Sequence, residues 1–165
     1  MASWSELRRQ SQRYDGLVNL AVATDHGGFP LKERIIQELK RLGHHVTDLG
    51  TNSAEPVDYP DYAEAVAREI LEGRAERAVL ICGSGAGACV AANKFKGIRA
   101  ATCHDSFSAH QCVEDDDVNV LCLGARVVGP GLAVELVRDY VNAVFSGAER
   151  HRRRLGKIAA FETNW

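Results

Sequence analysis

Short β-rich apolar runs alternate with helix-period segments along nearly the whole chain, and this alternation restricts the fold more than any other feature. VNLAVAT (18–24) is followed by Gly27-Gly28 and then by FPLKERIIQELKRLG, where Leu31, Ile35, Leu39 and Leu42 recur at helical spacing up to Gly43. HVTDLG (45–50) reads as a second strand and TNSAEPVDYP as a polar loop, after which the spacing predicts a helix from Tyr62 to Leu71, stopped by Gly73. AVLIC (78–82), RAATC (99–103) and VNVLCL (118–123) supply three more strands, with helical segments near 86–95 and 106–114 between them. Successive βα units joined by right-handed crossovers call for an open parallel sheet covered on both faces, a Rossmann-like three-layer α/β/α sandwich with five strands. Two closing helices, near 130–145 and 147–161, have no strand after them and are placed to pack outward on a partner chain.

A chain of 165 residues suits one core. We place a single domain over 18–161, with an N-terminal extension over 1–17, expected to be flexible, and a C-terminal tail over 162–165. The balance of 20 basic against 22 acidic side chains gives no global field of the kind that holds nucleic acid or an anionic membrane, so any anion site must be local. No apolar stretch approaches the ~20 residues needed to cross a bilayer, and MASWSELRRQSQRYDG lacks the apolar centre of a secretion signal. Five cysteines without a C-x-x-C pair fit neither a disulfide framework nor a structural zinc site. Together these point to a cytoplasmic protein with at least one free thiol.

In open parallel sheets, ligands bind beyond the carboxyl ends of the strands. The residues found there are Asp25-His26, Asp48, Cys82-Gly83-Ser84, His104-Asp105 and Gly124-Ala125-Arg126. Asp105 and Ser106 serve equally well as helix N-caps. His44 and His45, at the other end of a strand, are expected to be solvated. The stretch VLICGSGAG (79–87) admits two functional interpretations. Gly83, Gly85 and Ala88 satisfy a dinucleotide fingerprint, with Asp105 placed where a ribose-binding acid belongs, but the fingerprint falls on the third strand and leaves no separate substrate domain. Alternatively, Cys82 is the functional group, and the amides of Gly83 to Gly87 form a pocket for negative charge beside a thiolate base. A third interpretation makes Cys82 simply a buried strand residue, as Cys122 is.

AVATDHGGFPLKE, TDLGTNS, VDYPDYAEAVA, VLICGSGAGACVAANKFKGIRAATCHD, NVLCLGARVVG and the late basic ERHRRRLGKI together resemble the ribose-5-phosphate isomerase type B and galactose-6-phosphate isomerase family, from about Val18 to Phe161. The resemblance implies aldose–ketose isomerisation of a sugar phosphate through an enediolate, no metal or other cofactor, and a homodimer, or a tetramer, with active sites between subunits. It makes Cys82 the base, Ser84 the hydrogen-bonding partner of the reacting oxygens, and the amides of Gly83, Gly85 and Gly87 the holders of the enediolate. Asp25 contacts sugar hydroxyls, His26 lies near the phosphate end, and Tyr59, Asn93 and Asp116 line the pocket. Arg126, Arg150 and Arg154 take the phosphate, and the last two are four apart, on one helical face.

One departure bears on the substrate. Many members of the family carry a histidine and then Asn-Asp where this chain reads Asp115-Asp116-Asp117, so the resemblance puts Asp115 at the ring-opening position. An ionised Asp accepts a proton from an anomeric hydroxyl, but donating one to the ring oxygen requires the acid form. His104 and His110 are the nearby substitutes, although His110 suits a solvent-facing role. Ribose 5-phosphate must be opened before it can isomerise; a tetrose 4-phosphate of the erythrulose type cannot close its ring, because the terminal oxygen is esterified. Ribose 5-phosphate is the first expectation, a tetrose phosphate or a free aldose the second, and outside this class stand a dinucleotide-binding module and a non-catalytic sugar-phosphate sensor.

Overall fold

The computed structural model describes residues 17–164; apart from Leu17, the expected N-terminal extension lies outside the described residues, as does Trp165. The elements are β1 (Asn19–Thr24), α1 (Phe29–Arg41), β2 (His45–Asp48), α2 (Tyr59–Leu71), β3 (Arg77–Cys82), α3 (Ala86–Ala92), β4 (Ala100–Thr102), α4 (Ser106–Asp116), β5 (Val120–Gly124), α5 (Pro130–Asn142) and α6 (Glu149–Asn164). Five parallel strands form one sheet in the order β2-β1-β3-β5-β4. The handedness of the crossovers sorts the helices. Connections that run toward the β2 edge (α1 and α4) must lie on one face, and those that run the other way (α2 and α3) on the opposite face. The chain leaves β1 and β3 in opposite directions, so a crevice opens between their carboxyl ends.

The two faces are built differently. Leu20, Val22, Val79, Ile81, Leu121 and Leu123 point to one side and pack on α1, α4 and α5 through Leu31, Ile35, Val113 and Leu136. Each such side chain contributes roughly 1.5–3 kcal/mol by leaving water. The other face carries smaller residues: Ala21, Ala23, Ala78 and Cys122 meet Ala63 and Ala67 of α2 and Ala88 and Ala92 of α3, so these helices lie close to the sheet. Side chains alternate along a strand, and Cys82 falls on this alanine-rich face with Leu80. Its thiol is thereby directed toward the starts of α2 and α3.

The structure departs from the sequence expectations in several places. Helix α5 stops at Asn142, short of the expected 145, and packs inward on the core through Ala133, Leu136 and Val137 instead of outward. Helix α2 begins at Tyr59 and not Tyr62, because Pro60 occupies its first turn, where a missing N–H costs nothing and a fixed φ is suitable. Helix α6 continues to Asn164, and Glu162 Oε1 accepts the Gly97 N–H at 2.9 Å, so the expected tail belongs to the helix. Helix α3 stops at Ala92, short of the expected 95. His44 is not solvated: it is buried, its Nδ1 accepts the Val18 N–H at 3.3 Å, and burial lowers its pKa. His45 is exposed. Among the described residues no helix is long and apolar enough to cross a membrane.

Candidate active site

Three loops converge beyond the carboxyl ends of β1, β3 and β5. Asp25 ends β1 and is 6% exposed. Its N–H donates to Ile81 O, and its Oδ1 accepts the Gly28 N–H at 2.8 Å, which holds the start of α1 against β3. A Cβ on Gly27 would stand 2.9 Å from the Gly83 nitrogen, so the first and third loops touch. His26 Nδ1 lies 3.1 Å from Val57 N and 3.2 Å from Val57 O, anchoring the imidazole to the loop before α2 in either tautomer.

Cys82 ends β3 and is 5% exposed, with its Sγ receiving the Gly85 N–H at 3.1 Å. Gly85 reaches that position with φ of +82°, and a Cβ there would meet Thr102 Cγ2 at 2.9 Å; only glycine fits. The ring of Tyr59, at the start of α2, lies against Gly87, 3.0 Å from where a Cβ would be. Ser84 is exposed and its Oγ accepts the Ala86 N–H at 3.3 Å. From the third loop, the Ala125 N–H donates to Cys82 O at 2.9 Å and the Arg126 N–H to Gly83 O at 3.0 Å. These bonds carry the Arg126 guanidinium over Gly83, with Nε 3.6 Å from the position of a Cβ. A thiol, a carboxylate, an aromatic ring and a cation thus face one crevice.

Asp115, Asp116, Arg150 and Arg154 are elsewhere. Helix α4 starts beyond the carboxyl end of β4 and runs back, so its last turn, with Asp115 and Asp116, lies at the amino edge of the sheet. The length of β5 sets the two edges about 16 Å apart. There Asp115 Oδ1 stands 3.3 Å from His151 Nδ1, on the first turn of α6, and Arg150 Nε donates to His151 Nε2 at 2.9 Å. Asp117 is answered by Arg99 through Oδ2 at 2.8 Å and through its carbonyl at 2.7 Å. Of the three adjacent acids, Asp116 is the most exposed. Arg154, one turn after Arg150, is also exposed.

The structure therefore gathers Asp25, His26, Tyr59, Cys82, Gly83, Ser84, Gly85, Gly87 and Arg126 at the carboxyl edge, and Asp115, Asp116, Arg150 and Arg154 at the amino edge. Asn93 belongs to neither group: its Nδ2 donates to Ala100 O at 2.9 Å and its Oδ1 accepts the Ala100 N–H at 2.9 Å, so it clamps the end of α3 to β4 instead of lining the crevice. The Gly85 amide is directed at Cys82 Sγ and not at a substrate oxygen. Asp105, the ribose-binding acid of the dinucleotide interpretation, caps α4 by accepting the Ser108 N–H at 2.8 Å, a bond that lowers its pKa. His110 is exposed and faces Glu114 at 3.6 Å. All five cysteines are unpaired, and hydrogen bonding, chiefly from Cys122, draws the Cys89 thiol down to about 6. His151 was not expected from the sequence. Nothing in ERHRRRL marks it as buried, yet it is 2% exposed.

A thiol, a carboxylate and a guanidinium thus gather around a glycine loop at the switch point of a parallel sheet, where α/β enzymes bind their ligands. The family model described as Ribose/Galactose Isomerase matches residues 20–158. Ribose-5-phosphate isomerase B of Escherichia coli is 43% identical over 87% of this chain and 95% of its own length. D-erythrulose-4-phosphate isomerase of Pectobacterium atrosepticum is 39% identical over 79% of this chain and 87% of its own. The solved ribose-5-phosphate isomerase B of Clostridium thermocellum superposes with a TM-score of 0.86 at 44% identity, covering 88% of this chain and 97% of the other. The chain belongs to the ribose/galactose isomerase family. It is an aldose–ketose isomerase of sugar phosphates.

Proposed function

We propose that the protein interconverts ribose 5-phosphate and ribulose 5-phosphate, with Cys82 as the base. The observation that carries this is the Cys82 sulfur held at the strand end by the Gly85 N–H, at the root of a loop whose Gly83 is approached by both Gly27 and the Arg126 guanidinium. The Cys82 thiolate takes the proton from C2 of the opened aldose while the C1 carbonyl electrons move onto O1. A proton passes from O2 to O1 across the enediolate, and the thiol returns its proton to C1, leaving the ketone at C2. Ser84 and the amides of Gly83 and Gly87 steady the charge that develops on the oxygens, Asp25 and Tyr59 orient the sugar, and His26 and Arg126 lie toward the phosphate.

Arg150, Arg154, Asp115 and Asp116 cannot reach Cys82 of the same chain across the depth of the sheet, which supports a homodimer in which a second copy brings its amino edge to this crevice. In that arrangement the two arginines complete the phosphate site and Asp115 opens the ring. Its carboxylate takes the anomeric proton, C1=O forms as the bond from C1 to the ring oxygen breaks, and the same proton passes to that oxygen. The unpaired thiols support a reducing, cytoplasmic setting.

Asp115 favours a second reading, a tetrose phosphate as substrate, which needs no ring opening. A panel of ribose 5-phosphate, erythrose 4-phosphate and free pentoses, with kcat/KM for each, separates the two. Highest kcat/KM on ribose 5-phosphate is the expected result; a clear preference for the tetrose phosphate would replace it. Binding of sugar phosphate without turnover of any member would leave only a sensor.

A further inference from the structure

We propose that His151 is a positioning residue for ring opening: through Nδ1 it orients the Asp115 carboxylate, and through Nε2 it holds the phosphate-binding Arg150, so that both groups depend on one buried ring. The inference rests on the ring-opening role given to Asp115.

The hydrogen bonds decide the state of the ring. Arginine has donors only, so the bond from Arg150 Nε at 2.9 Å requires a lone pair on Nε2 and places the proton of a neutral imidazole on Nδ1. Nδ1–H donates to Ser146 Oγ at 2.8 Å, and Asp115 Oδ1 stands 3.3 Å from the same nitrogen. Ser146 is itself fixed, its N–H donating to Glu114 O at 3.0 Å, and so ties the segment before α6 to the turn of α4 that carries Asp115. The ring is 2% exposed and the Asp115 side chain 29%. One carboxylate oxygen thus rests against the edge of the ring while the side chain stays open to solvent. Likewise, Arg150 is held by Nε, which leaves its terminal nitrogens to face outward.

A histidine at position 115 would carry its own proton donor. An aspartate does not; it needs its carboxylate turned toward the sugar and kept from rotating away, and the electropositive Nδ1 edge of a buried ring 3.3 Å from one oxygen does this. The second bond of the ring places the phosphate grip and the ring-opening group in register, so a substrate seated on Arg150 finds Asp115 already oriented.

Two conservative variants split the ring into its halves. His151→Gln presents an amide near the Nε2 position and nothing at Nδ1; His151→Asn presents an amide nitrogen near Nδ1 and nothing at Nε2. Turnover of ribose 5-phosphate is measured beside the exchange of the C1 proton of ribulose 5-phosphate with deuterated solvent, because that ketose has no ring to open. His151→Gln is expected to lower kcat on ribose 5-phosphate roughly 10-fold while sparing the exchange, and His151→Asn to raise KM for both phosphorylated sugars roughly 10-fold with kcat nearly retained. Thermal melts report whether each variant folds. Equal losses on both reactions, with the same division between kcat and KM in both variants, would make His151 a packing residue and overturn the proposal. Asp115→Asn is run alongside. If it leaves ribose 5-phosphate turnover intact, the ring-opening role of Asp115 fails and takes the inference with it. If it lowers that turnover selectively while His151→Gln does not, only the role of His151 falls.

Discussion

The two edges of the sheet are held together by different chemistry. At the carboxyl edge the contacts around Cys82 run mostly through backbone: Ala125 N–H to Cys82 O, Arg126 N–H to Gly83 O, Asp25 N–H to Ile81 O, with Gly85 in a conformation that side chains resist. At the amino edge they run through side chains, in Arg99–Asp117, Asp115–His151–Arg150 and the bond of Glu162 to Gly97. Backbone contacts survive most side-chain changes, since every residue but proline carries the same donor and acceptor, and with Gly85 kept they hold Cys82 in place. Side-chain contacts can be exchanged one at a time, and that is where this chain carries Asp115. The proposed base therefore sits on the stiffer edge, while the residues proposed to open the ring and complete the phosphate site sit on the adjustable one.

The largest effect should follow from removing the group at the centre of the stiff edge. Cys82→Ala is expected to lower kcat by ~10²–10⁴-fold with ligand affinity largely kept, as loss of a general base does. Cys89→Ser is the control, since that thiol is on α3 and donates to Ala100 O at 3.4 Å. If the Cys89 variant lost as much as the Cys82 variant, the seat of the chemistry would have to be moved.

Whether the two edges work on one substrate can be tested by separating them. Cys82→Ala and Arg150→Ala chains, each with little turnover at phosphorylated substrate well below the wild-type KM, are mixed, unfolded and refolded together and assayed at that concentration. In a mixed dimer one crevice receives both changes and the other neither, so about a quarter of wild-type turnover should return. No recovery, with dimers shown to have mixed, would mean that each chain supplies its own complete site. For Arg150→Ala alone, KM for phosphorylated substrates should rise roughly 10- to 100-fold and KM for free sugars little, because the charge-assisted bonds form only with phosphate.

The same contrast explains what could be read from sequence. The five strands, the βα order and the Cys82 loop are written in local signals: alternating apolar runs, helical periodicity, and glycines where the chain turns. The N-cap role weighed for Asp105 is local too, and the structure has it. What local pattern could not give depends on pairings made only in the fold. The resemblance placed Asn93 in the pocket, and nothing in the sequence announces its pairing with Ala100. Glu162 looked like part of a tail because its partner, Gly97, lies 65 residues away. His44 and His151 looked solvated or went unnoticed, since their burial comes from Val18 in one case and from the last turn of α4 in the other.

The smallest expected effect concerns pH, and it sharpens the comparison by acting on the side-chain edge alone. Glu38, near the end of α1, accepts from Arg41 at 2.8 Å and from Arg138 of α5 at 2.6 Å. Hydrogen bonds from Arg41 and then Arg138 lower its pKa from 4.5 to about 2, against the opposing effect of burial. A carboxylate with a depressed folded-state pKa contributes stability that is fully present above its unfolded value and is lost as pH falls through the folded one. Glu38→Gln should thus melt below the wild type at neutral pH by a few degrees at most, and the gap should narrow below about 4.5 and close near about 2. Because Glu38 joins α1 to α5, and α5 leads into α6, acidification should also raise amide exchange in α5 and the start of α6 before it does so in the 82–87 loop. If the loop loosened first, or the gap between the two melting curves held constant down to pH 2, the link between α1 and α5 would not depend on this ion pair, and the side-chain edge would be as firmly set as the backbone one.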